Sequence, residues 1–477
     1  MNSRNNTKLS LAIGIAILIL IVGAAAVWQK DRLEPAFSTL LGKEDDARAS
    51  FAADPKAFSL KVLYYDEQSF LSEYAMPFLI RHPNADIQVV PLPQASSTED
   101  YNQQLLETIE QENPDVLALS PDMYKQMAED GRLLALDSLL KQDKYPLDAF
   151  YEPVVDALRQ WGGGKLYGLA PEFSVNALYY NKDLFDRFGI DYPTDQMTWE
   201  ELLQLAARFP TDPQDGKRVY GFSPSYNDGP FSLIQQIGRT EKLQFADFQT
   251  GSMTADTPGW QTIWKSVVQG YRQGWIDTPA DEPKKSSYSM DDMVKRNPFL
   301  SGHAAMTVSS FSTAGMLKYT RENKKAPAFA WDVVTQPVGG NDRNTAADFY
   351  LYNVYAINAK SEQVQGAWEM VKYLNSAENA RKQSRQTFGG SLSARRDISE
   401  RGDVGYHLDA FYKLTPDPDA MLSGGGYQID WSKLTPIGKA AAEAALKGTM
   451  TVEQAVADVQ AKGKAALKPP TAEPKQP

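Results

Sequence analysis

The chain is 477 residues long, which at roughly 150 residues per domain predicts two or three domains rather than one core. Its composition, 42% hydrophobic and 11% aromatic, is typical of a folded protein, and its net charge of -11 disfavours nucleic acid and anionic lipid surfaces as partners. There is no cysteine, which excludes disulfides, thiolate metal sites, thiol catalysis and cysteine-linked lipid anchors, and the three isolated histidines offer little for a zinc site.

The first 27 residues predict a signal peptide or an N-terminal membrane anchor. Arg4 and Lys8 precede an apolar run at residues 9–27, in which Ser10 is the only polar residue. At about 1.5 Å per residue this run nearly spans a hydrocarbon core of about 30 Å. The small residues 24–26 would suit signal cleavage, but the run exceeds the usual apolar core of about 15 residues, so an uncleaved anchor is favoured. Both alternatives predict that the rest of the chain is exported.

Two further segments flank the part of the chain that we expect to fold. Residues 28–57 are mixed in charge and rich in alanine without a clear apolar period, which is typical of a linker. Proline and charged residues dominate residues 468–477, which predicts a flexible tail.

Strand and helix signals alternate after the linker. Residues 60–65, 86–92 and 115–119 are β-prone, while residues 70–80 and 101–109 have helical apolar spacing. Such alternation predicts a parallel sheet with right-handed crossovers, whose ligands bind at the carboxyl ends of the strands beside helix N-termini. Six residues occupy that edge: Tyr65, Asp66, Glu67, Leu119, Ser120 and Asp122.

Several motifs follow in a characteristic order. GGKLYGLAP at residues 163–171, ALYYNKDLF at 177–185 and TWEELL at 198–203 form the most informative segment, in which Thr198 and Glu201 predict a capping box. The same series contains NPDV from residue 113, FLSGHAAM from 299, WDV from 331 and AWEMVKYL from 367. Together these motifs resemble the extracellular solute-binding proteins of ABC importers, specifically the large family that captures sugars and oligosaccharides, over about residues 58–467.

The resemblance implies an α/β, two-lobed periplasmic-binding-protein-like fold (type II) with a ligand cleft between the lobes. Placed on this sequence, the first lobe comprises residues 58–170 plus 355–412, and the second comprises residues 175–350 plus 415–467. The chain is then expected to cross between lobes near residues 171–175, near 349–355 and around Thr415.

The function implied by the resemblance is that of a monomeric substrate-binding component of an ABC transporter. We expect it to capture an extracellular carbohydrate by closure of the lobes and to deliver it to permease subunits, with no cofactor and no catalysis. The N-terminal segment would hold it at the extracellular face of the membrane. The resemblance says much less about which solute is bound.

Polar candidates for ligand contact follow from the chemistry of a sugar, whose hydroxyl groups need acceptor carboxylates and amides. Asp66, Glu67, Ser120 and Asp122 stand at strand ends where relatives often place such side chains, although acids there also stabilise a helix dipole. Glu172 and Ser174 lie in the first crossing, which lines the cleft in the family.

Aromatic candidates follow from the C–H faces of a sugar ring, which pack on flat side chains. Tyr226, Phe231, Phe311 and Trp431 stand where relatives often carry cleft aromatics, with Phe311 replacing the expected tryptophan. Core packing is the alternative for any one aromatic residue. Apolar spacing assigns four others to cores: Trp199, Trp264, Trp331 and Trp368.

Two other function classes remain open. A secreted carbohydrate-active enzyme would need two carboxylates some 5 to 10 Å apart, which sequence spacing cannot exclude, but no nucleophile elbow, HExxH helix or P-loop is present. A non-sugar solute, such as a peptide or a metal ion, is the second alternative. Ferric iron could be held by Tyr179 and Tyr180, but adjacent strand residues face opposite sides, so one of the two is expected to enter the core.

Overall fold

The structure is a computed structural model that describes residues 57–94, 98–212, 218–225, 228–247, 250–278, 288–384, 391–399, 405–417 and 429–467. The expected N-terminal segment, all but the last residue of the linker, and the tail lie outside these ranges. The chain divides into two compact units. Of the described residues, the smaller unit contains Ala57 and Leu79–Asn84, and the larger one contains Phe58–Phe78 and the residues from Ala85 onward. All the sheets described below lie in the larger unit.

The strands within the described ranges are short, and most form two main sheets. In chain order they are β1 (Phe58–Tyr64), β2 (Ala85–Pro91), β3 (Val116–Leu119), β4 (Gly168–Leu169), β5 (Glu172–Asn181), β6 (Tyr220–Phe222), β7 (Ala246–Asp247), β8 (Ser252–Met253), β9 (Ala304–Ser310), β10 (Trp331–Thr335), β11 (Thr345–Ala346), β12 (Phe349–Leu351), β13 (Val354–Ile357), β14 (Leu392–Ser393) and β15 (Thr415–Pro416).

Helices alternate with these strands along much of the chain. They are α1 (Glu67–Phe70), α2 (Met76–Arg81), α3 (Thr98–Glu112), α4 (Pro121–Glu129), α5 (Asp137–Gln142), α6 (Glu152–Trp161), α7 (Lys182–Phe188), α8 (Trp199–Ala206), α9 (Pro230–Thr240), α10 (Pro258–Gln273), α11 (Met290–Arg296), α12 (Ser312–Glu322), α13 (Val364–Leu374), α14 (Ala377–Gln383), α15 (Arg396–Ser399), α16 (Trp431–Lys447) and α17 (Val452–Lys462). A π-helical turn, Leu71–Ala75, joins α1 to α2.

The first sheet has five strands in the order β2-β1-β3-β13-β4. β1 pairs in parallel with β2 and β3, as the alternation of strand and helix signals predicts. β13 instead runs antiparallel to both β3 and β4, so the sheet is mixed. The predicted parallel arrangement is therefore confirmed for the early strands only, because β13 arrives from a distant part of the chain.

The second sheet has the path β10-β5-β9-β6. β5 pairs antiparallel with β9 and β10 over its second half, where both of its faces are buried. Helices including α8, α9, α10 and α16 pack into one hydrophobic core with this sheet. The capping box of α8 is present, since Thr198 and Glu201 bond each other's backbone amides.

β5 also extends beyond the second sheet at its start. Its first half pairs antiparallel with β12 and β14, and we call these three paired segments the linking ladder. The chain leaves the first sheet after β4 and enters the linking ladder at Glu172, and it returns from Leu351 of β12 to the first sheet at Val354. The ladder is thus the place where the chain passes between the two sheets.

The tryptophans expected in cores are buried at Trp199, Trp264 and Trp368. The prediction is wrong for Trp331, which is only half-buried because it begins β10 at the edge of the second sheet. Its ring stacks on Tyr406, with ring centroids 4.8 Å apart. Among the described residues, no helix is long and apolar enough to cross a membrane.

Candidate ligand-binding site

The first half of β5 alternates polar and apolar residues. Glu172, Ser174 and Asn176 take the polar positions, while Phe173 and Val175 take the apolar ones. Because successive strand residues point to opposite faces, the three polar side chains share one face of the linking ladder.

The neighbouring strands continue this polar face. Tyr350 lies opposite Ser174, and Ser393 lies opposite Glu172. Directly opposed residues of paired strands share a face, so Tyr350 and Ser393 join the polar side chains of β5. Asp348, the residue before β12, joins them because its carboxylate bonds the side chain of Asn176. We call the following set the polar face: Glu172, Ser174, Asn176, Asp348, Tyr350 and Ser393.

The opposite face of the linking ladder is filled with aromatic packing. Phe173 and Phe349 are stacked, with centroids 4.9 Å apart and planes 8° from parallel. Tyr151 stacks on Phe173 at 5.3 Å, and Tyr412 meets the same ring edge-on at 5.3 Å. This packing fills one face of the ladder, and the polar side chains occupy the other face.

Glu172 ends the polar face in an acidic, tyrosine-rich environment. Its Oε2 accepts a hydrogen bond of 2.7 Å from the hydroxyl of Ser391. Burial raises the pKa of Glu172, and the negative charge of Glu73 adds to this shift, while the Ser391 hydrogen bond opposes it. Burial also raises the pKa of Tyr74 to about 12, with the charge of Glu172 as the next cause.

The π-helical turn delivers two of these side chains. Leu71–Ala75 contains both Glu73 and Tyr74, and π-helical turns occur frequently at functional sites. The hydroxyl of Tyr64, the last residue of β1, donates to Oε2 of Glu73 at 3.2 Å. Strand β1, the π-helical turn and β5 therefore converge on one group of carboxylates and phenols.

Asp348 lies at the other end of the polar face and is buried. Its Oδ2 accepts hydrogen bonds from the side-chain amides of Asn176 at 3.1 Å and Gln236 at 3.3 Å. Its Oδ1 accepts from the guanidinium of Arg239, which comes from the last turn of α9. A buried carboxylate needs such partners, because an unpaired charge in a protein interior is costly.

Exposed aromatic side chains lie near the passages between the sheets. Tyr65, Tyr350 and Tyr352 are 43% to 53% exposed. The hydroxyl of Tyr65 lies 3.4 Å from Oδ1 of Asn353, so the end of β1 meets the segment between β12 and β13. These rings offer flat apolar surfaces beside the hydrogen-bonding groups of the polar face.

The structure places the predicted polar residues in different settings. Glu172 and Ser174 lie on the polar face, with Glu172 half-buried and Ser174 buried. Asp66 is exposed and caps α1 by accepting from the amide and hydroxyl of Ser69, which lowers its pKa. Glu67 is exposed in the first turn of α1, where it lines an open groove of about 500 Å³.

The two predicted residues after β3 also belong to a helix start. Ser120 is exposed and caps α4 by accepting from the amide of Met123 at 3.3 Å. Asp122 is half-buried in the first turn of α4. The helix-stabilising role that competes with ligand contact is therefore present at Asp66 and Ser120.

The predicted aromatic contact residues also lie in different settings, from buried to exposed. Phe231 is fully buried among Phe245 and Trp264, so core packing accounts for it. Phe311 is half-buried before α12 and meets Phe411 edge-on at 5.6 Å. Trp431 is 46% exposed at the start of α16. Tyr226 lies outside the described residues.

The alternative of iron capture finds no support at the tyrosine pair. Tyr179 and Tyr180 are both buried, because β5 is covered on both faces in its second half. Within the described ranges, no group of three or more histidine and acidic side chains could hold a metal ion.

Sequence reasoning missed several residues of this site. Asn176, Asp348 and Tyr350 complete the polar face, and Arg239 contacts it from α9. A signal was present, because residues 348–352 alternate aspartate or tyrosine with apolar residues, as β5 does. Nothing in the local sequence around Arg239 indicates its contact with the ladder.

Comparisons with known proteins agree with this architecture. The family described as bacterial extracellular solute-binding protein matches residues 66–381. A curated protein of Brucella abortus (strain 2308), named only as a binding protein, is 25% identical over 218 residues, which cover 44% of this chain and 47% of the relative. The chain thus spans about half the length of the curated relatives that it matches.

Solved structures extend the likeness over most of the chain. The sugar-binding protein MalE from the phytopathogen Xanthomonas citri is 16% identical with a TM-score of 0.58, over 86% of this chain and 97% of that one. An ABC substrate-binding protein from Listeria monocytogenes in complex with cycloalternan is 20% identical with a TM-score of 0.54, over 86% and 99%. The fold is therefore the two-lobed α/β fold of such proteins. The chain belongs to the bacterial extracellular solute-binding proteins.

Proposed function

We propose that the protein is the substrate-binding component of an ABC importer and that its solute is a carbohydrate, most simply an oligosaccharide. Closure of two lobes would capture the solute outside the cell, and a membrane permease would receive it. The polar face of the linking ladder is the observation that carries this proposal, together with the family to which the chain belongs.

The chemistry of the polar face suits a polyhydroxylated ligand. The carboxylate of Glu172 and the hydroxyl of Tyr350 can accept hydrogen bonds, while the side chains of Asn176 and Ser174 offer both donors and acceptors. A sugar hydroxyl both donates and accepts, so it can bond to every one of these groups. The exposed rings of Tyr65 and Tyr352 would pack against the C–H faces of the sugar.

The ligands of similar proteins support the same solute class. The Listeria monocytogenes protein holds cycloalternan, and the Xanthomonas citri protein is a sugar-binding protein. Identities of 16% to 20% do not carry individual contact residues across, so the assignment to this chain rests on its own polar face.

The lobes are proposed with the boundaries that the sequence indicates. The first would comprise residues 58–170 plus 355–412, and the second residues 175–350 plus 415–467. In this division, β5 and the segment from β12 to β13 are two of the crossings, and the linking ladder is part of the hinge. A ligand on the polar face would then contact the segments that bend as the lobes close.

The contact set is proposed to centre on Glu172 and Ser174. Asn176, Tyr350 and the exposed tyrosines extend it beyond the sequence-based candidates. The remaining candidates form a proposed outer set: Asp66, Glu67, Ser120, Asp122, Tyr226, Phe311 and Trp431. Phe231 is left out of the contact set because it is fully buried in the core.

The proposal also covers how the protein works in the cell. It would act as a monomer, bind without catalysis, and remain at the outer face of the membrane through an uncleaved segment at residues 9–27. The permease would then find its binding protein at a high local concentration.

A thermal-shift screen of the purified full chain tests the solute class. The panel contains neutral oligosaccharides, D-mannitol, short peptides and divalent and ferric ions. A ligand at 100 times its dissociation constant adds about 2.7 kcal/mol to the free energy of unfolding, which gives a clear rise in melting temperature. A rise with peptides or metal ions and none with any carbohydrate would overturn the proposal.

A further inference from the structure

Arg239 meets the polar face from outside the linking ladder. Its guanidinium pairs with the buried carboxylate of Asp348, but its own side chain is half-exposed. The Asp348 carboxylate also accepts hydrogen bonds from Asn176 and Gln236, so these two donors and Arg239 together fix the orientation of the carboxylate. The guanidinium is therefore held in one place while part of it stays open to solvent.

The remaining donors of Arg239 are available for a ligand. A guanidinium has five N–H donors and no acceptor. Among the described residues, the side chain of Arg239 donates to Asp348 and to no other group. Asp348, which pairs with Arg239, lies two residues before the exposed Tyr350 in the chain.

We propose that Arg239 is a specificity-determining residue of the ligand site and that Asp348 is the positioning residue that holds it. The free N–H groups of Arg239 donate to a pair of neighbouring hydroxyl oxygens on a neutral carbohydrate bound at the polar face. This inference rests on the proposed carbohydrate function and adds the group that Arg239 recognises.

Two physical arguments select neighbouring hydroxyls. The planar fork of a guanidinium matches two adjacent acceptor oxygens, which a lysine ammonium does not. Asp348 already neutralises the charge of Arg239, so a carboxylate on the ligand would gain little over an uncharged oxygen. The fork is therefore suited to a neutral sugar rather than to an acidic one.

The position of Arg239 also gives the polar face two chemically different ends. Glu172 and Asn176 are four residues apart on β5, which corresponds to about 13 Å in an extended strand. The Glu172 end presents a carboxylate acceptor, and the guanidinium of Arg239 adds N–H donors at the Asn176 end. A ligand that spans both ends has its orientation fixed by this difference.

The experiment compares three variants of the full chain. Maltose, maltotriose, cellotriose and D-mannitol are the neutral probes and trigalacturonate is the acidic probe, with affinities measured by calorimetry for every probe that raises the wild-type melting temperature. Arg239→Gln is expected to weaken binding of a neutral probe about ten- to a hundredfold, as for loss of charge-assisted hydrogen bonds. Arg239→Lys is expected to weaken it about tenfold, because the charge stays and the fork is lost.

Arg343→Gln is the matched control. Arg343 is also a half-exposed arginine in an ion pair, with Glu201 at 2.8 Å, but its partner belongs to the first turn of α8 and not to the polar face. Binding should keep its wild-type affinity in this control. Wild-type affinity in Arg239→Gln would overturn the inference, and so would tighter wild-type binding of trigalacturonate than of every neutral probe. No wild-type binding of any saccharide would instead overturn the proposed function, and the inference with it.

A double-mutant cycle tests the positioning role of Asp348. If Asp348 acts through Arg239, Asp348→Asn combined with Arg239→Gln binds no more weakly than Arg239→Gln alone. Additive losses would mean that Asp348 acts separately and would overturn the positioning role. Should Asp348→Asn fail to fold, the Arg239 variants alone still decide the specificity role, because Arg239→Lys keeps a cation beside the buried Asp348.

Discussion

Phe173 and Phe349 stack face to face with centroids 4.9 Å apart, directly beneath the strand positions that carry Glu172 and Ser174. Both rings are buried, and each belongs to one of the two segments through which the chain passes between the sheets. The stack therefore joins the two passages and supports the polar face at the same time.

Replacing Phe349 by alanine should lower the free energy of unfolding by about 3 to 5 kcal/mol, because a buried ring is lost and a cavity remains. Phe349→Leu keeps much of the apolar volume and should cost less. Urea unfolding followed by circular dichroism measures both variants. A loss below about 1 kcal/mol for Phe349→Ala would show that the stack does not stabilise the protein.

The raised pKa of Glu172 should make the stability of the protein depend on pH. In the folded protein the pKa of Glu172 lies above its ordinary value of 4.5. At a pH between the ordinary pKa and the raised one, the folded protein therefore holds more protons than the unfolded chain. Stability from this group therefore falls as the pH rises through that window. Glu172→Gln should raise the melting temperature at neutral pH, and the difference should vanish as the pH falls below 4.5.

Glu453 provides a control of opposite sign. Its hydrogen bond with Lys265 lowers the pKa of Glu453 to about 2. This group stabilises the folded protein above the ordinary pKa of 4.5, and the contribution is lost as the pH falls toward 2. Glu453→Gln should therefore lower the melting temperature at neutral pH. Equal pH profiles for the two variants would contradict both assignments.

Ligand affinity should fall when the proposed contacts are removed. Glu172→Ala and Trp431→Ala are each expected to weaken binding of an identified saccharide by about 1 to 4 kcal/mol with little loss of fold. Calorimetry measures the affinities, with exposed Glu129→Ala as the control. Wild-type affinity in either variant would give that residue a structural role instead.

Ligand capture should make the protein more compact. Closure of two lobes around a solute reduces the radius of gyration, which small-angle scattering measures with and without a saturating saccharide. An unchanged radius at saturation would argue against hinge closure and leave binding itself intact.

The mature protein should retain its first 27 residues. The apolar run at residues 9–27 can just span a bilayer, and a chain without cysteine has no thioether-linked lipid as an alternative anchor. Intact mass and N-terminal sequencing of the protein recovered from both the membrane and the soluble fractions check this prediction. A mature start near Val27 would mean a cleaved signal and a freely diffusing protein.

Local sequence patterns were enough to predict much of the architecture. The helical spacing, the capping box at Thr198 and Glu201, and the early strands depend on interactions between residues close in the chain, and the structure contains them. The ordered motifs indicated the family, which the match over residues 66–381 shows. Glu172 and Ser174 are predicted as ligand contacts because they lie within that motif order, and the structure places both on the polar face.

Other features depend on pairings that no local pattern specifies. Arg239 and Asp348 are 109 residues apart, and Glu172 and Ser391 are 219 residues apart. Their contacts exist only after β5, β12 and the helices of the second sheet have packed, because strand register sets which side chains share a face. The same packing buries Glu172, which raises its pKa, and places Phe231 in the core. The sequence by itself determined the fold class and the segment proposed to hold the site, and the tertiary structure decided which side chains of distant segments meet on the polar face.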